Sequence, residues 1–443
     1  MNDRVLSLDV FRGMTIAGMV LVNNPGTWSS IYGPLKHAEW HGLTPTDWIF
    51  PFFLFIVGVA IPIALSKRID EGITLSVYRK IFWRALIIFA LGLAISVTPF
   101  FQFGATDAPD TAKLLIWIAM TAGLFFLLLR NLKVAGALIG ISIAGIIAMN
   151  IAGYNVVPYN FSTMRIPGVL QRIAVCYLVV SLIYLHTSWK QQLGIGAGLL
   201  LGYWALMTLI PVPGCEVTSV DDKACNLAAW LDRTILTENH IWRSAKVFDP
   251  EGILSTLPAI ATTLSGVLAG SWLMANDKRQ ATSGDTNDVF RRSSLNCVSG
   301  LFFFGTVLLG TGYVWNSYFP MNKSLWTSSY VLVTSGLALL TFGACYWLID
   351  IKVYKKWSWP FVVFGVNALP LFVFSGIMAR MLGAYRVTGA EGQPISLQKW
   401  IFDNGYLSMA QPIDASLLYA ISFILLWLLL MWLLYRKRIF MKV

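Results

Sequence analysis

Charge is what this sequence has least of. Only 12% of its 443 residues are Asp, Glu, Lys or Arg, about half the share of a soluble domain. A chain so poor in charge, 56% hydrophobic with a mean hydropathy of +0.65, reads as a polytopic membrane protein and not a soluble one. A cleavable leader is not expected. Asp3, Arg4, Asp9 and Arg12 precede or interrupt the first apolar run, and no small-residue cleavage site follows. Histidine is sparse too, with four in the chain. His37 and His41 are four apart, but Gly42 and Pro45 make the segment a loop and no third Cys or His lies near, so no metal site is expected. The net charge of +11 does not point to nucleic acid, because the basic residues sit in short loops between apolar runs.

What the chain has is long apolar runs. About twelve approach the roughly 20 residues that a bilayer requires: Leu6–Asn23, Asp47–Ser66, Arg79–Phe100, Ala112–Leu129, Lys133–Ala152, Arg165–His186, Gln191–Pro211, Pro250–Ala275, Leu295–Trp315, Ser324–Asp350, Trp359–Leu382 and Asp414–Tyr435. The fold expected is all-α, a single transmembrane domain over 1–443. Alternate connections carry the basic residues: Lys67, Arg68, Arg79 and Lys80; Arg130 and Lys133; Lys190; Lys278, Arg279, Arg291 and Arg292; Lys352, Lys355 and Lys356; and Arg436, Lys437, Arg438 and Lys442. The positive-inside rule places these, and both termini, in the cytoplasm. The His37 loop and a long loop over 212–249 then lie outside. Three of the five cysteines, Cys176, Cys297 and Cys345, fall inside helices as small apolar side chains. Cys215 and Cys225 share the outer loop and are read as a disulfide, two free thiols being the alternative.

The richest stretch is Leu35–Gly58, LKHAEWHGLTPTDWIFPFFLFIVG. Two histidines, Glu39, Thr44, Thr46 and Asp47 gather where a loop enters a membrane helix, and polar groups at such a boundary are functional candidates by default. Asn23 and Asn24 close the preceding run. An imidazole supplies a base near neutral pH and an amide supplies a neutral donor for a developing oxyanion. Arg172 beside Gln171, and Arg84 near the inner end of its span, need an anion or carbonyls as partners at membrane depth. Asp9 and Arg12 share one helix face as an ion pair. Asn367, between a glycine and a proline, is placed to bond a neighbouring helix. Asp249, Pro250 and Glu251 read as ordinary helix-start chemistry, with a secondary reading as outward carboxylates for a cationic amine. The substrate-binding candidates are therefore Asp47, Asp249, Glu251, Arg172 and Asn367.

The segments SLDVFRG (Ser7–Gly13), VNN (Val22–Asn24), KHAEWHGLTPTDWIFPFFLFIVG, RIPGVLQRIAVCY (Arg165–Tyr177), PVPGC (Pro211–Cys215), DPEGILSTLPAI (Asp249–Ile260) and NKSLWTSSYVL (Asn322–Leu332) resemble the heparan-alpha-glucosaminide N-acetyltransferase family. The resemblance implies a membrane acyltransferase, expected as a multi-pass protein of a bacterial inner (cytoplasmic) membrane. It would move the acetyl group of cytosolic acetyl-CoA to the amine of an amino sugar, or of a glycan carrying one, at the outer face. It assigns catalysis to His37, assisted by Asn23, with no metal, no nucleic acid and, as an open option, a homodimer. Two departures are visible. His41 stands where the lysosomal member has Asn, and the two helices within about 103–164 have no match there. The competing class is an amino-sugar transporter without acyl transfer, against which the chain shows no internal repeat.

Overall fold

The computed structural model describes residues 5–282, 288–390 and 392–441. Asp3, Arg4 and Lys442 lie outside the described residues, as do the side chains of Lys67, Lys278, Arg279, Arg291 and Arg292. Fifteen α-helices are described: α1 Leu6–Asn23, α2 Ile49–Asp70, α3 Leu75–Val97, α4 Asp110–Leu128, α5 Leu132–Ile151, α6 Val169–His186, α7 Trp189–Leu209, α8 Leu227–Leu236, α9 Thr256–Thr282, α10 Asp288–Trp315, α11 Ser328–Tyr346, α12 Trp359–Val366, α13 Ala368–Ala384, α14 Leu397–Gly405 and α15 Pro412–Arg436. One short antiparallel ribbon pairs Arg386–Thr388 with Pro394–Ser396. Among the described residues, eleven helices are long and apolar enough to cross a membrane, and α12 with α13, bent by 73°, can supply a twelfth span. The all-α polytopic fold expected from the apolar runs is the fold observed.

Two of those runs differ from expectation. The run from Trp359 is broken at Asn367, whose backbone leaves the helical region. Pro370 explains the break, because it has no N–H to bond the Val366 carbonyl and its ring collides with that carbonyl. The run from Pro250 does not begin as a helix. Residues 249–252 form a tight turn, with the Gly252 N–H donating to the Asp249 carbonyl at 2.9 Å, and α9 starts only at Thr256.

The chain divides into two compact units. The first comprises Met1–Thr15, His37–Ala90 and Arg165–Gly365. Its apolar core joins Phe11, Phe52, Phe55 and Phe342 with Val59, Leu273, Leu301 and Ile349. The packing of α2 on α9 is set by glycine. A Cβ on Gly266 would lie 2.1 Å from the Phe55 carbonyl oxygen, and one on Gly270 would lie 2.6 Å from that of Val59. Only glycine lets the two backbones approach so closely. Both contacts advance four residues along each helix, so α2 and α9 run parallel. The segments feeding their N-termini, 37–48 and 249–255, therefore emerge at the same end.

The second unit comprises Ile16–Lys36, Leu91–Met164 and Val366–Val443. There α4 and α5 form a hairpin, and the Ser142 hydroxyl crosses it to the Ile116 carbonyl at 3.3 Å. Buried Lys113 closes the loop ahead of α4 by donating to the carbonyls of Phe103 (2.9 Å) and Thr106 (3.1 Å). Asn367 serves the C-terminal segment of this unit. Its amide donates to the Ile439 carbonyl at 3.0 Å and accepts from the Met441 N–H at 3.0 Å.

Candidate active site

The first unit gathers most of the sequence candidates at the shared end of α2 and α9. Thr44 is the N-cap of a 3₁₀ turn, Pro45–Trp48, and Asp47 occupies its N3 position in a reciprocal capping box. One carboxylate oxygen of Asp47, Oδ2, accepts from the Thr44 N–H at 3.0 Å, the Thr44 hydroxyl at 2.9 Å and the Ala38 N–H at 3.2 Å. The other, Oδ1, lies 2.7 Å from His37 Nδ1. Local helix-start chemistry thus immobilises Asp47 and leaves one oxygen aimed at the imidazole. The Asp47 side chain is 0% exposed while that of His37 is 45% exposed. A carboxylate can only accept, so it orients a protonated Nδ1 and leaves Nε2 as the basic nitrogen, which is the arrangement of a general base and the group that orients it.

Lys323, in the connection between α10 and α11, completes the cluster. Its ammonium lies 2.8 Å from His37 Nδ1, 3.2 Å from Nε2 and 3.5 Å from Asp47 Oδ1. Burial pulls the Lys323 pKa below the usual lysine range, while the charges of Asp47 and Glu251 work to raise it. Lys323 is absent from the candidates drawn from the sequence, though the NKSLW segment holds a signal: a lone cation in a connection between apolar runs. Below the cluster, the Tyr330 hydroxyl donates to the Asp47 carbonyl at 2.6 Å.

A second cluster surrounds the 249–255 turn. The guanidinium of Arg165 grips Asp249 through two bonds of 2.8 and 2.6 Å and also donates to Glu251. Burial works against the charge on Arg165, but the two carboxylates overcome it and raise its pKa. Asp249 and Glu251 are therefore not the cap residues that their spacing around Pro250 implies. They are the acid half of an ion-pair network whose base lies 84 residues away. Asp232, on α8, accepts from the backbone N–H groups of Asp249 (3.3 Å) and Ile253 (2.9 Å). Burial outweighs these bonds and lifts its carboxyl to about 6. A Cβ at position 252 would meet the Asp232 carboxylate at 2.0 Å, which fixes Gly252 in the turn. Arg172 is 2% exposed. Its Nη2 donates to the Gly252 carbonyl at 3.0 Å and to the Ser255 hydroxyl, and its guanidinium lies over the Trp326 ring at 5.1 Å. The carbonyl and the ring are partners of the kind an arginine at membrane depth takes, while its Nε and Nη1 are buried with no hydrogen-bond partner among the described residues. Arg84 finds the Tyr177 ring at 5.0 Å, and Asp9 and Arg12 pair at 3.2 Å.

The histidine that departs from the family pattern has a different environment. His41 Nε2 lies 2.8 Å from Asp221 Oδ1, on the 212–249 loop. That loop is closed by a disulfide between Cys215 and Cys225. Of the remaining candidates, Asn23 is exposed on the last turn of α1, in the second unit, and Asn24 donates its side-chain amide back to the Val20 carbonyl at 2.8 Å. Asn367, also in the second unit, has its amide engaged on both sides by the C-terminal segment.

Residues 4–156 match the family model described as heparan-alpha-glucosaminide N-acetyltransferase, catalytic. The matched span contains His37 and Asp47 and runs on through most of the 103–164 segment, for which the motifs offer no counterpart. The human heparan-alpha-glucosaminide N-acetyltransferase is 26% identical over 491 aligned residues, covering 99% of this chain and 60% of the human protein. The mouse protein of the same name is 25% identical over 487, covering 100% of this chain and 61% of its own length. The chain thus spans about 60% of the length of the curated relatives it matches. Both comparisons bear out the resemblance carried by the motifs: along nearly its whole length, this chain is similar to the heparan-alpha-glucosaminide N-acetyltransferases.

Proposed function

We propose that this protein is an integral-membrane acetyltransferase that moves an acetyl group from acetyl-CoA to the amine of an amino sugar or of an amino-sugar-containing glycan. The observation that carries the reading is the His37–Asp47 pair: a half-exposed imidazole locked by a fully buried carboxylate in a chain similar to acetyltransferases. The acceptor, drawn in as an ammonium ion, first releases one proton to solvent; His37 Nε2 then removes a second proton from the neutral amine as its nitrogen attacks the thioester carbonyl. A C–N bond forms, a tetrahedral oxyanion develops and the C–S bond then breaks. The imidazolium, or the Lys323 ammonium beside it, returns a proton to the leaving thiolate. Glu251 and Asp249 offer negative charge to the incoming cationic amine, with Arg165 holding both and Arg172 fixing the turn they occupy. Asn23 as oxyanion donor is assigned by resemblance alone; such a donor contributes about 3 kcal/mol.

The proposal takes residues 1–443 as one catalytic domain in a bacterial inner membrane, with both termini cytoplasmic and 212–249 as an outer loop, so that donor and acceptor meet from opposite sides. The test uses purified protein in detergent with labelled acetyl-CoA and glucosamine. Labelled N-acetylglucosamine, formed by the unsubstituted protein and lost in His37→Ala, supports the reading. No product, together with uptake of glucosamine into proteoliposomes, would establish the transporter instead.

A further inference from the structure

We infer that Trp40 and His41 are positioning residues for His37, and that the disulfide-closed ring 215–225 of the outer loop holds them in place. This rests on the reading of His37 as the base. The ring meets the His37 loop through three different contacts. The Trp40 indole N–H donates to the Val220 carbonyl at 3.0 Å. His41 Nε2 pairs with Asp221 at 2.8 Å. The Lys223 ammonium lies 5.6 Å from the centre of the Trp40 ring, which packs against the Phe248 ring at 67° with centroids 5.1 Å apart. Val220, Asp221 and Lys223 all lie between the two bridged cysteines.

The ring is itself anchored to the other half of the site. Within it the Ser219 N–H donates to the Cys225 carbonyl at 3.1 Å, and Asp222 Oδ1 accepts from the N–H groups of Ala224 (2.7 Å) and Cys225 (3.1 Å). The Asn226 amide donates to the Asp222 carbonyl at 2.8 Å while its oxygen caps α8 at the Ala229 N–H. Six residues along α8, Asp232 holds the turn that carries Asp249 and Glu251. A continuous path therefore runs from the carboxylates, through α8 and the ring, to Trp40 and His41, three and four residues from the base. On its far side the His37 loop is fastened by the Gly42 N–H, which donates to the Met321 carbonyl at 2.8 Å, two residues from Lys323. A loop clamped on both sides keeps Nε2 at a fixed distance from the acceptor. Misplacement of about 1 Å is enough to cost on the order of a hundredfold in rate.

The experiment reads hydrogen exchange and turnover on the same full-length protein, untreated and after mild reduction, with mass spectrometry verifying that Cys215 and Cys225 are reduced. Exchange over residues 36–44 should rise several-fold on reduction while that of α2 and α9 stays unchanged. Turnover should fall about tenfold or more with little change in the KM for acetyl-CoA, and reoxidation should restore both. Trp40→Phe keeps the packing on Phe248 but loses the bond to Val220, so it should fall between the unsubstituted protein and Trp40→Ala in turnover as well as exchange. Unchanged exchange over 36–44 in fully reduced protein overturns the inference. So does a Trp40→Ala protein with normal turnover. If the unsubstituted protein transfers no acetyl group yet exchange responds as expected, the acetyltransferase reading fails and the clamp stands.

Discussion

Replacing Asp47 by Asn separates the role of the carboxylate from its shape. All three structural bonds, from the Thr44 N–H, the Thr44 hydroxyl and the Ala38 N–H, end on Oδ2. An asparagine that places its oxygen there keeps them all, so the capping box survives and the helix start loses little of the roughly 1 kcal/mol such a cap contributes. The amide NH2 then replaces Oδ1 and faces His37 Nδ1, 2.7 Å away. It can only donate, so Nδ1 becomes the acceptor and the ring proton moves to Nε2. The lone pair that should take the amine proton is gone. A positioned general base contributes about 10²–10⁴ in rate, so turnover should fall by that factor, about 3–5 kcal/mol in the barrier. The loss is one of tautomer and not of ionisation, so raising the pH should not restore it. The assay is transfer of labelled acetyl from acetyl-CoA, with donor affinity and thermal unfolding measured in parallel. Turnover indistinguishable from that of the unsubstituted protein, in a folded Asp47→Asn variant, would refute the base assignment.

Three further outcomes follow from the same geometry. Arg165→Ala strands the buried carboxylates of Asp249 and Glu251 and should cost about 3–5 kcal/mol of stability; Arg165→Lys should rescue only part of it, since an ammonium cannot make the paired contact with Asp249, and thermal melts in detergent read both. Asp232 has its folded-state value lifted to about 6 by burial, above the roughly 3.9 of an unfolded chain, so the folded state holds a proton that the unfolded state has released. Its contribution is full below the unfolded value and is lost as pH rises through about 6, so melting measured from pH 4 to 7 should show a fall that Asp232→Asn removes. For topology, a cysteine placed at Glu39 should react with an impermeant reagent added outside intact cells and one at Lys355 should not; the reverse pattern would overturn the proposed orientation.

The membrane helices are legible in the sequence because their signal is local and strong. Runs of about twenty apolar residues between charged connections leave few other readings, and the break at Asn367 falls where proline chemistry dictates. The pairing of His37 with Asp47 is only half legible. Both residues stand out by type and by position at a helix mouth, but their contact depends on the capping box that turns Asp47 back toward the loop. The 249–252 turn shows how local rules mislead. Asp-Pro-x-Gly is a sound helix start by itself, yet Arg165 and Asp232, both distant in the chain, claim its carboxylates and its backbone N–H groups, and the helix begins at Thr256 instead.

The partners of Lys323 are invisible in the sequence for the same reason on a larger scale. Nothing near it in the chain predicts that its ammonium will meet an imidazole 286 residues away. What brings these groups together is the part of the chain with the least chemical character. Gly58, Gly266 and Gly270 let α2 and α9 touch backbone to backbone, and the parallel register carries the His37 loop and the Asp249 turn to one end. Bulk at these glycines should therefore disable the site without touching any of its charged groups. In Gly266→Val the added atoms meet the Phe55 carbonyl, whose oxygen stands only 2.1 Å from where the first of them, the Cβ, must sit, and the helices must separate. Turnover should fall in that variant even where the protein remains folded, whereas Gly202→Val, on an open face with nothing within 4 Å of its Cβ position, should retain it. Equal turnover in the two variants would show that the site does not depend on how closely α2 and α9 pack.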